Sequence, residues 1–424
     1  MSYRFQKFTT VYPEVARRML EPLPNHQQLS YSEFYNAVVA FRFAWADYYA
    51  THMRALGHEA EEVFADLEPL QQAWAKEHGV KWSAGNWLRE IALARVREFQ
   101  PEVIFIEDLY VFDADFRRQL RAACRGHVLL LGYRAAPTED FAAFSDMDLL
   151  LTCVPNFAAR LAQGGASVAV MRHAFEPAII SALEPLPARD LEFTFTGHLV
   201  LQNGYHQQRR IIIEKLLECT PLQMWLQVSE PPPAATGAAR IAAGLTRRAG
   251  TVLKKIGIPP PVSGKLSPLK QPATDSYAVT LDQSFPDRSH PPVFGLDNFR
   301  ILARSHLTFN NHIDAAEGHA GNMRLFEATG MGACLLTDWK TDLQDIFEPD
   351  KEVVAYRSAE ECVEKVNYLL HHEKERQAIA AAGQRRTLRD HTFAQRALQL
   401  DELITDLLAG RRPSANAYAL PVCR

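Results

Sequence analysis

The chain alternates short, almost wholly apolar runs with longer segments in which apolar residues return every three or four positions. Runs of the first kind fit strands buried on both faces, and segments of the second kind fit helices laid over them. Together they predict repeated βαβ units and largely parallel sheets. The runs AVVAFRF (37–43), EVIFIED (102–108), HVLLLGY (127–133), MDLLLTC (147–153) and SVAVMRH (167–173) are the expected strands of a first domain. In NWLREIALARVREFQ, the residues Leu88, Ile91, Ala92, Val96 and Phe99 share one face of a covering helix. A second series predicts a second Rossmann-like domain: EFTFTG (192–197), LQMWLQ (222–227), SHLTFN (305–310), ACLLTD (333–338) and EVVAY (352–356). The expected fold class is α/β, with two Rossmann-like domains whose parallel sheets face each other across a cleft.

Four segments follow from this pattern. Residues 1–34 read as an N-terminal extension, 35–185 as the first, acceptor-side domain, and 186–392 as the second, donor-side domain. Residues 393–424 read as a helix returning to the first domain, followed by a tail. Within the second domain the pattern breaks between 228 and 292, where Pro231 to Pro233 and Pro259 to Pro261 exclude an interior helix or strand. Between these prolines, Arg240, Arg247, Arg248, Lys254 and Lys255 oppose Ile241, Leu245, Val252 and Leu253. Such a basic amphipathic segment, 235–256, fits a solvated helix or a contact with an anionic membrane surface.

Composition narrows the classes. A chain of 424 residues exceeds what one core usually supports, and 47% apolar residues suffice for two. The formal charge of −4, with Lys and Arg spread along the chain, gives no nucleic-acid footprint. Six scattered cysteines without a C-x-x-C pair suggest neither zinc nor a disulfide framework, and instead buried thiols in a reducing compartment. No stretch approaches the roughly 20 apolar residues of a membrane span, and the start lacks a leader-like apolar core. The expected location is cytoplasmic, with peripheral inner-membrane contact through 235–256 as an option.

In parallel sheets, ligands bind beyond the carboxyl ends of the strands. Three places there carry more polar and glycine content than packing requires. After EFTFTG come Gly197 and His198, a loop with Asn203 and Gly204, and a helix start with His206, Arg209 and Arg210. Imidazole and guanidinium groups at a strand-to-helix turn suit a diphosphate. The richest stretch, 310–338, places Gly321 and Asn322 before a helix carrying Arg324 and Glu327. Backbone donors and Arg324 there suit a phosphate, while the Glu327 carboxylate can accept from both hydroxyls of a ribose. In the first domain Glu107 and Asp108, Arg134 and His173 end strands. With His312 and Asp314 of the second domain, Asp108 and His173 are the candidate general bases. No H-E-x-x-H or D-x-D pattern occurs, so no metal site and no cofactor are expected.

These residues also carry a resemblance. The run NMRLFEATGMGACLLTDWKTDLQDIFEPDKEVVAYRS and its continuation to HTFAQR resemble the C-terminal domain of CgeB (spore maturation protein)-like glycosyltransferases. Upstream, LGHE (56–59), EVIFIED, HAFEP (173–177) and the stretch from Gly197 to Arg209 extend it over most of 35–408. The resemblance implies a GT-B fold and a metal-independent glycosyltransferase of the EC 2.4 class. Its donor would be a UDP-, GDP- or dTDP-type sugar, bound by Asn322, Arg324 and Glu327. The acceptor hydroxyl would belong to a glycan, a lipid-linked sugar or a protein, in bacterial surface-polysaccharide or glycoconjugate synthesis. The upstream acid, Glu317, stands ten positions before Glu327 and departs from the E-x7-E spacing of retaining relatives. Retention and inversion therefore both stay open, as does the oligomeric state. A sugar-nucleotide epimerase of the same fold and a non-catalytic sugar-nucleotide or glycan-binding protein are the alternatives.

Overall fold

The computed structural model describes residues 2–411 apart from 139, 164, 166, 202–203 and 231–276. The basic segment 235–256 and Asn203 thus lie outside the described residues. Two six-stranded sheets organise the rest, and every strand pairing in both is parallel.

The first sheet contains β1 (Arg4–Thr9), β2 (Glu59–Phe64), β3 (Val103–Ile106), β4 (Leu129–Tyr133), β5 (Leu149–Thr152) and β6 (Val168–Val170), in the order β2-β1-β3-β4-β5-β6. Its helices are α1 (Pro13–Leu20), α2 (Tyr31–Val39), α3 (Tyr48–Ala55), α4 (Glu68–Glu77), α5 (Trp87–Phe99), α6 (Ala114–Ala123), α7 (Pro155–Gln163) and α8 (Ala178–Ala182). The second half runs β7 (Leu191–Val200), α9 (Gln207–Cys219), β8 (Leu222–Ser229), α10 (Tyr277–Ser284), β9 (Ser289–His290), α11 (Leu296–Arg304) and β10 (Ser305–Asn310). It continues with α12 (Arg324–Gly330), β11 (Cys334–Asp338), β12 (Val354–Tyr356), α13 (Ala359–His371), α14 (Glu373–Asp390) and α15 (Phe393–Leu408). Its sheet order is β12-β11-β10-β7-β8-β9.

Three expectations are corrected. The run AVVAFRF is not a strand: residues up to Val39 belong to α2, opened by a capping box between Ser30 and Glu33. Phe34 and Val38, one turn apart, are both buried. Nor is 1–34 an extension, because β1 lies inside the first sheet between β2 and β3. Gln6 and Lys7 disguise it, both fully buried polar residues in the middle of the strand. The break in pattern is also narrower than 228–292, since β8 reaches Ser229 and residues 277–290 form α10 and the edge strand β9.

One apolar cluster runs through both halves, joining Phe5, Phe105 and Leu131 of the first to Leu325, Phe326 and Leu335 of the second. The chain crosses back where Phe175 pairs with Thr392, and α15 then packs along α3. Phe393 sits edge-on to Tyr49 with ring centroids 5.5 Å apart. Further along α15, Asp401 accepts from Tyr3 Oη at 2.7 Å and lies 3.0 Å from His58 Nε2. No helix among the described residues is long and apolar enough to cross a membrane.

Candidate functional site

Parallel strands place all carboxyl ends of a sheet on one edge, and here both edges line a common cleft. It contains two adjoining cavities of about 680 and 430 Å³. The larger is walled by the ends of β1, β2, β3 and β4, with Thr9, Asp66, Glu107, Asp108, Tyr133 and Arg134. The smaller is walled by the ends of β7 and β10 and by α12. Tyr12, Phe43, Ala44, Ala135, His173 and Met323 border both. A more apolar cavity of about 720 Å³ lies behind Pro292, Val293 and Phe294, against α1 and α2.

The smaller cavity gathers most of the expected donor-side residues, together with three arginines against a single carboxylate. Arg209, in the first turn of α9, is buried, and its guanidinium donates to His198 O at 2.7 Å and to Asn311 O. Among the described residues no carboxylate lies within ion-pair distance of it, and its Nε has no partner. Burial pushes its pKa down to about 10, so it remains a cation at neutral pH. Arg324 lies 2.9 Å from Glu327 one turn along α12, and donates to Thr196 O at 2.8 Å and Asn298 Oδ1 at 3.1 Å. Asn322 Nδ2 donates to Asn310 Oδ1 at 2.6 Å, and Asn322 Oδ1 has no partner among the described residues. His198 lines the wall with Nε2 2.7 Å from Ser229 Oγ, and burial with the Arg209 charge holds its pKa below the ordinary value.

Two glycines have different reasons. Gly197 lies within β7 on the cavity wall, and the strand continues to Val200 instead of ending there. Gly321 is where the two halves touch: a Cβ would come within 2.6 Å of Val154 Cγ2, and Cys153 Sγ donates to Gly321 O at 2.9 Å. Its small size serves that approach.

The four base candidates are not brought to one place. Asp108 borders the larger cavity, but its Oδ1 accepts from the N–H groups of Tyr110 (2.9 Å) and Val111 (3.1 Å) and forms a turn. His173 stands where the cavities meet. Its Nδ1 lies 3.3 Å from Trp45 Nε1, which can only donate, so Nε2 carries the proton and meets Tyr133 Oη at 3.2 Å. Burial pushes the ring's pKa down to about 3. His312 is on the wall of the smaller cavity, with Nδ1 2.7 Å from Asp338 Oδ1 and Nε2 unpartnered among the described residues. Burial alone would raise the Asp338 carboxyl, but the His312 ring and Lys340 ammonium outweigh it and hold it well below the usual carboxylate range. Asp314 is a correction: it lines neither cavity, and its Oδ2 accepts from Gln207 N at 2.9 Å, capping α9.

Sequence reasoning placed His206 at the α9 start but missed Asn298, Thr196 and Asp338. His206 Nδ1 accepts from Val200 N at 2.8 Å, and burial and Arg209 push its pKa down to about 3. Asp338 ends ACLLTD, so the strand-end rule that selected His173 selects it equally. Among the described residues no three His, Cys, Asp or Glu side chains group as a metal site.

Solved structures share the two-sheet fold over nearly the whole chain. Sucrose-phosphate synthase from Thermosynechococcus elongatus superposes with a TM-score of 0.53 at 11% identity, over 96% of this chain and 100% of that one. A glycosyltransferase from Rickettsia africae gives 0.53 at 8% identity, over 96% and 99%. Anabaena Alr3699/HepE in complex with UDP-glucose gives 0.53 at 11%, over 95% and 100%. The fold is GT-B. Residues 266–402 match the Glycosyl transferase-like family, and this segment carries His312, Gly321, Asn322, Arg324 and Glu327. No curated protein sequence matches the chain. In the GT-B arrangement the smaller cavity belongs mainly to the second half and the larger to the first, with His173 and Met323 at the seam.

Proposed function

We propose that the chain is a glycosyltransferase of the CgeB-like kind, moving a sugar from a nucleoside diphosphate-sugar to a hydroxyl acceptor in bacterial surface-polysaccharide or glycoconjugate synthesis. The second half binds the donor in the smaller cavity, and the first half binds the acceptor in the larger one. The observation that carries this reading is Arg209, a buried cation on a cavity wall whose described hydrogen-bond partners, two carbonyls and the neutral His206 ring, carry no charge. A buried charge without a counter-charge is costly, and an arriving diphosphate supplies the missing one. Arg324 adds a second guanidinium, and the two stabilise the charge that develops as the diphosphate departs, without a divalent ion. Glu327 accepts from the ribose hydroxyls. The UDP-glucose complex of the Anabaena protein supports a UDP-type donor.

The test is a thermal-shift screen of the full chain against UDP, GDP, dTDP, CMP and their sugar conjugates, with EDTA and then with magnesium. One nucleoside diphosphate and its sugar conjugate should raise the melting temperature in EDTA, followed by release of that diphosphate when acceptors are added. No shift with any of them would remove the transferase reading. Conversion of the donor sugar without any acceptor would identify an epimerase.

A further inference from the structure

A buried ion cluster lies under the larger cavity, and the donor-side chemistry does not use it. Lys7, midway along β1 and fully buried, has Nζ 2.6 Å from Glu62 Oε1 and 3.2 Å from Glu107 Oε2. Strand register pairs Lys7 directly with Glu62, and Glu107 follows the end of β3. Lys7 Nζ also donates to Thr9 Oγ1 at 2.7 Å, and Thr9 Oγ1 meets Glu107 Oε2. Trp45 and Phe105 close over the ammonium, with ring centroids 5.2 and 5.8 Å away. Apolar side chains of equal volume would usually serve a sheet centre as well or better, so this cluster is not explained by stability.

Its effect is to fix one carboxylate. The Lys7 and Thr9 donors converge on Glu107 Oε2, and Oε1 has no partner among the described residues. Glu107 lines the larger cavity with a side chain 25% exposed. Of the neighbouring carboxylates, Asp66 has both oxygens on Val11 N, at 3.0 and 3.1 Å, and Asp108 is held through Oδ1 by backbone N–H groups of its turn, whereas among the described residues Glu107 alone of the three is held by a buried cation. Both ring nitrogens of His173 are committed as well.

We propose that Glu107 is the group that receives the acceptor hydroxyl, through Oε1, and that Lys7, held by Glu62, is its positioning residue. This rests on the transferase reading. The acceptor oxygen bonds to the anomeric carbon of the donor sugar, and the bond from that carbon to the diphosphate oxygen breaks. Its electron pair leaves on the diphosphate, and the acceptor proton passes to Glu107 Oε1 and from there to solvent. The charged side chains on this cavity wall are Asp66, Glu107 and Asp108 against Arg134. That balance selects a neutral or amine-bearing polyhydroxylated acceptor and rejects an anionic one.

The experiment uses the full chain with the nucleoside diphosphate-sugar chosen by the screen. The acceptor probes are methyl glucoside, glucosamine and glucuronate, with water as the acceptor when none is added. Diphosphate affinity is measured separately by calorimetry. Glu107→Gln should keep that affinity within about twofold while turnover falls about 100-fold or more, the usual contribution of a positioned base. Lys7→Met should lower kcat by up to about 100-fold while diphosphate affinity stays within about twofold, because the Glu107 carboxylate loses the donor that aims it, and Lys7→Arg should restore part of that loss. A purely structural Lys7 would lower the melting temperature without separating kcat from diphosphate affinity. Wild-type turnover in Glu107→Gln with diphosphate binding intact overturns the proposal and leaves the donor reading standing. So does preference for glucuronate, or a wild type that binds diphosphate but turns over none of the probes or water. A wild type that binds no nucleoside diphosphate removes both.

Discussion

Replacing Arg209 by Gln tests the anion site at its least compensated point. The guanidinium ties the ends of β7 and β10 together through His198 O and Asn311 O, while its charge has no carboxylate within ion-pair distance among the described residues. A hydrogen bond to a charged group contributes about 1.5–3 kcal/mol. At about 1.4 kcal/mol per tenfold, losing one such bond weakens diphosphate binding roughly 10- to 150-fold. Ligand at about 100 times its Kd stabilises the folded wild type by about 2.7 kcal/mol, and a 100-fold weaker complex retains only about 0.4 kcal/mol at that concentration. The ligand-induced shift in Tm should therefore nearly vanish in Arg209→Gln and partly survive in Arg209→Lys. Each shift is taken relative to the same variant without ligand, because the two carbonyls lose donors in either case. Raising salt should weaken the wild-type complex more than the Gln variant. An Arg209→Gln protein with the full wild-type shift at matched concentrations would refute the idea that this buried cation awaits an anion.

Glu327→Ala leaves the Arg324 guanidinium without its carboxylate and should cost about 3–5 kcal/mol, seen as a lower denaturation midpoint. It should also weaken UDP-type ligands more than inorganic pyrophosphate, since pyrophosphate has no ribose; equal losses would remove Glu327 from ribose binding. Gly330→Ala drives a methyl into the Phe175 ring where the halves meet, and should cost about 1–3 kcal/mol in chemical denaturation. His206 and His173 have folded pKa values of about 3 against an ordinary 6.5, so below pH 6.5 the unfolded chain binds more protons than the folded one. Their contribution is complete above pH 6.5 and is lost as pH falls towards 3, at up to about 1.4 kcal/mol per pH unit for each ring. His206→Asn keeps an acceptor for Val200 N–H and should flatten this acid limb; an unchanged slope would assign it to other groups.

The hydrophobic rhythm was enough to announce two parallel sheets, because strands covered on both faces must be apolar throughout. Every expected strand of the second series appears, and so do four of the five in the first. The failures share a cause. AVVAFRF is too short for periodicity to separate strand from helix, and the Ser30–Glu33 capping box decides it. β1 and β2, RFQKFT and EAEEVF, carry charges that only the opposite strand makes tolerable, Lys7 facing Glu62.

At the site, the sequence by itself determined which residue types stand beyond the strands, in loops and first helical turns: Arg209, Asn322, Arg324, Glu327 and His312 are all on the smaller cavity's wall. Only the tertiary structure decided how each is used. Whether a carboxylate caps a helix, as Asp314 does, closes a turn, as Asp108 does, or is held by a buried lysine, as Glu107 is, depends on which N–H groups and cations reach it. Those partners lie on other elements or in turns, up to 100 residues away for Glu107. Local periodicity carries no information about them; the packing of the two sheets does.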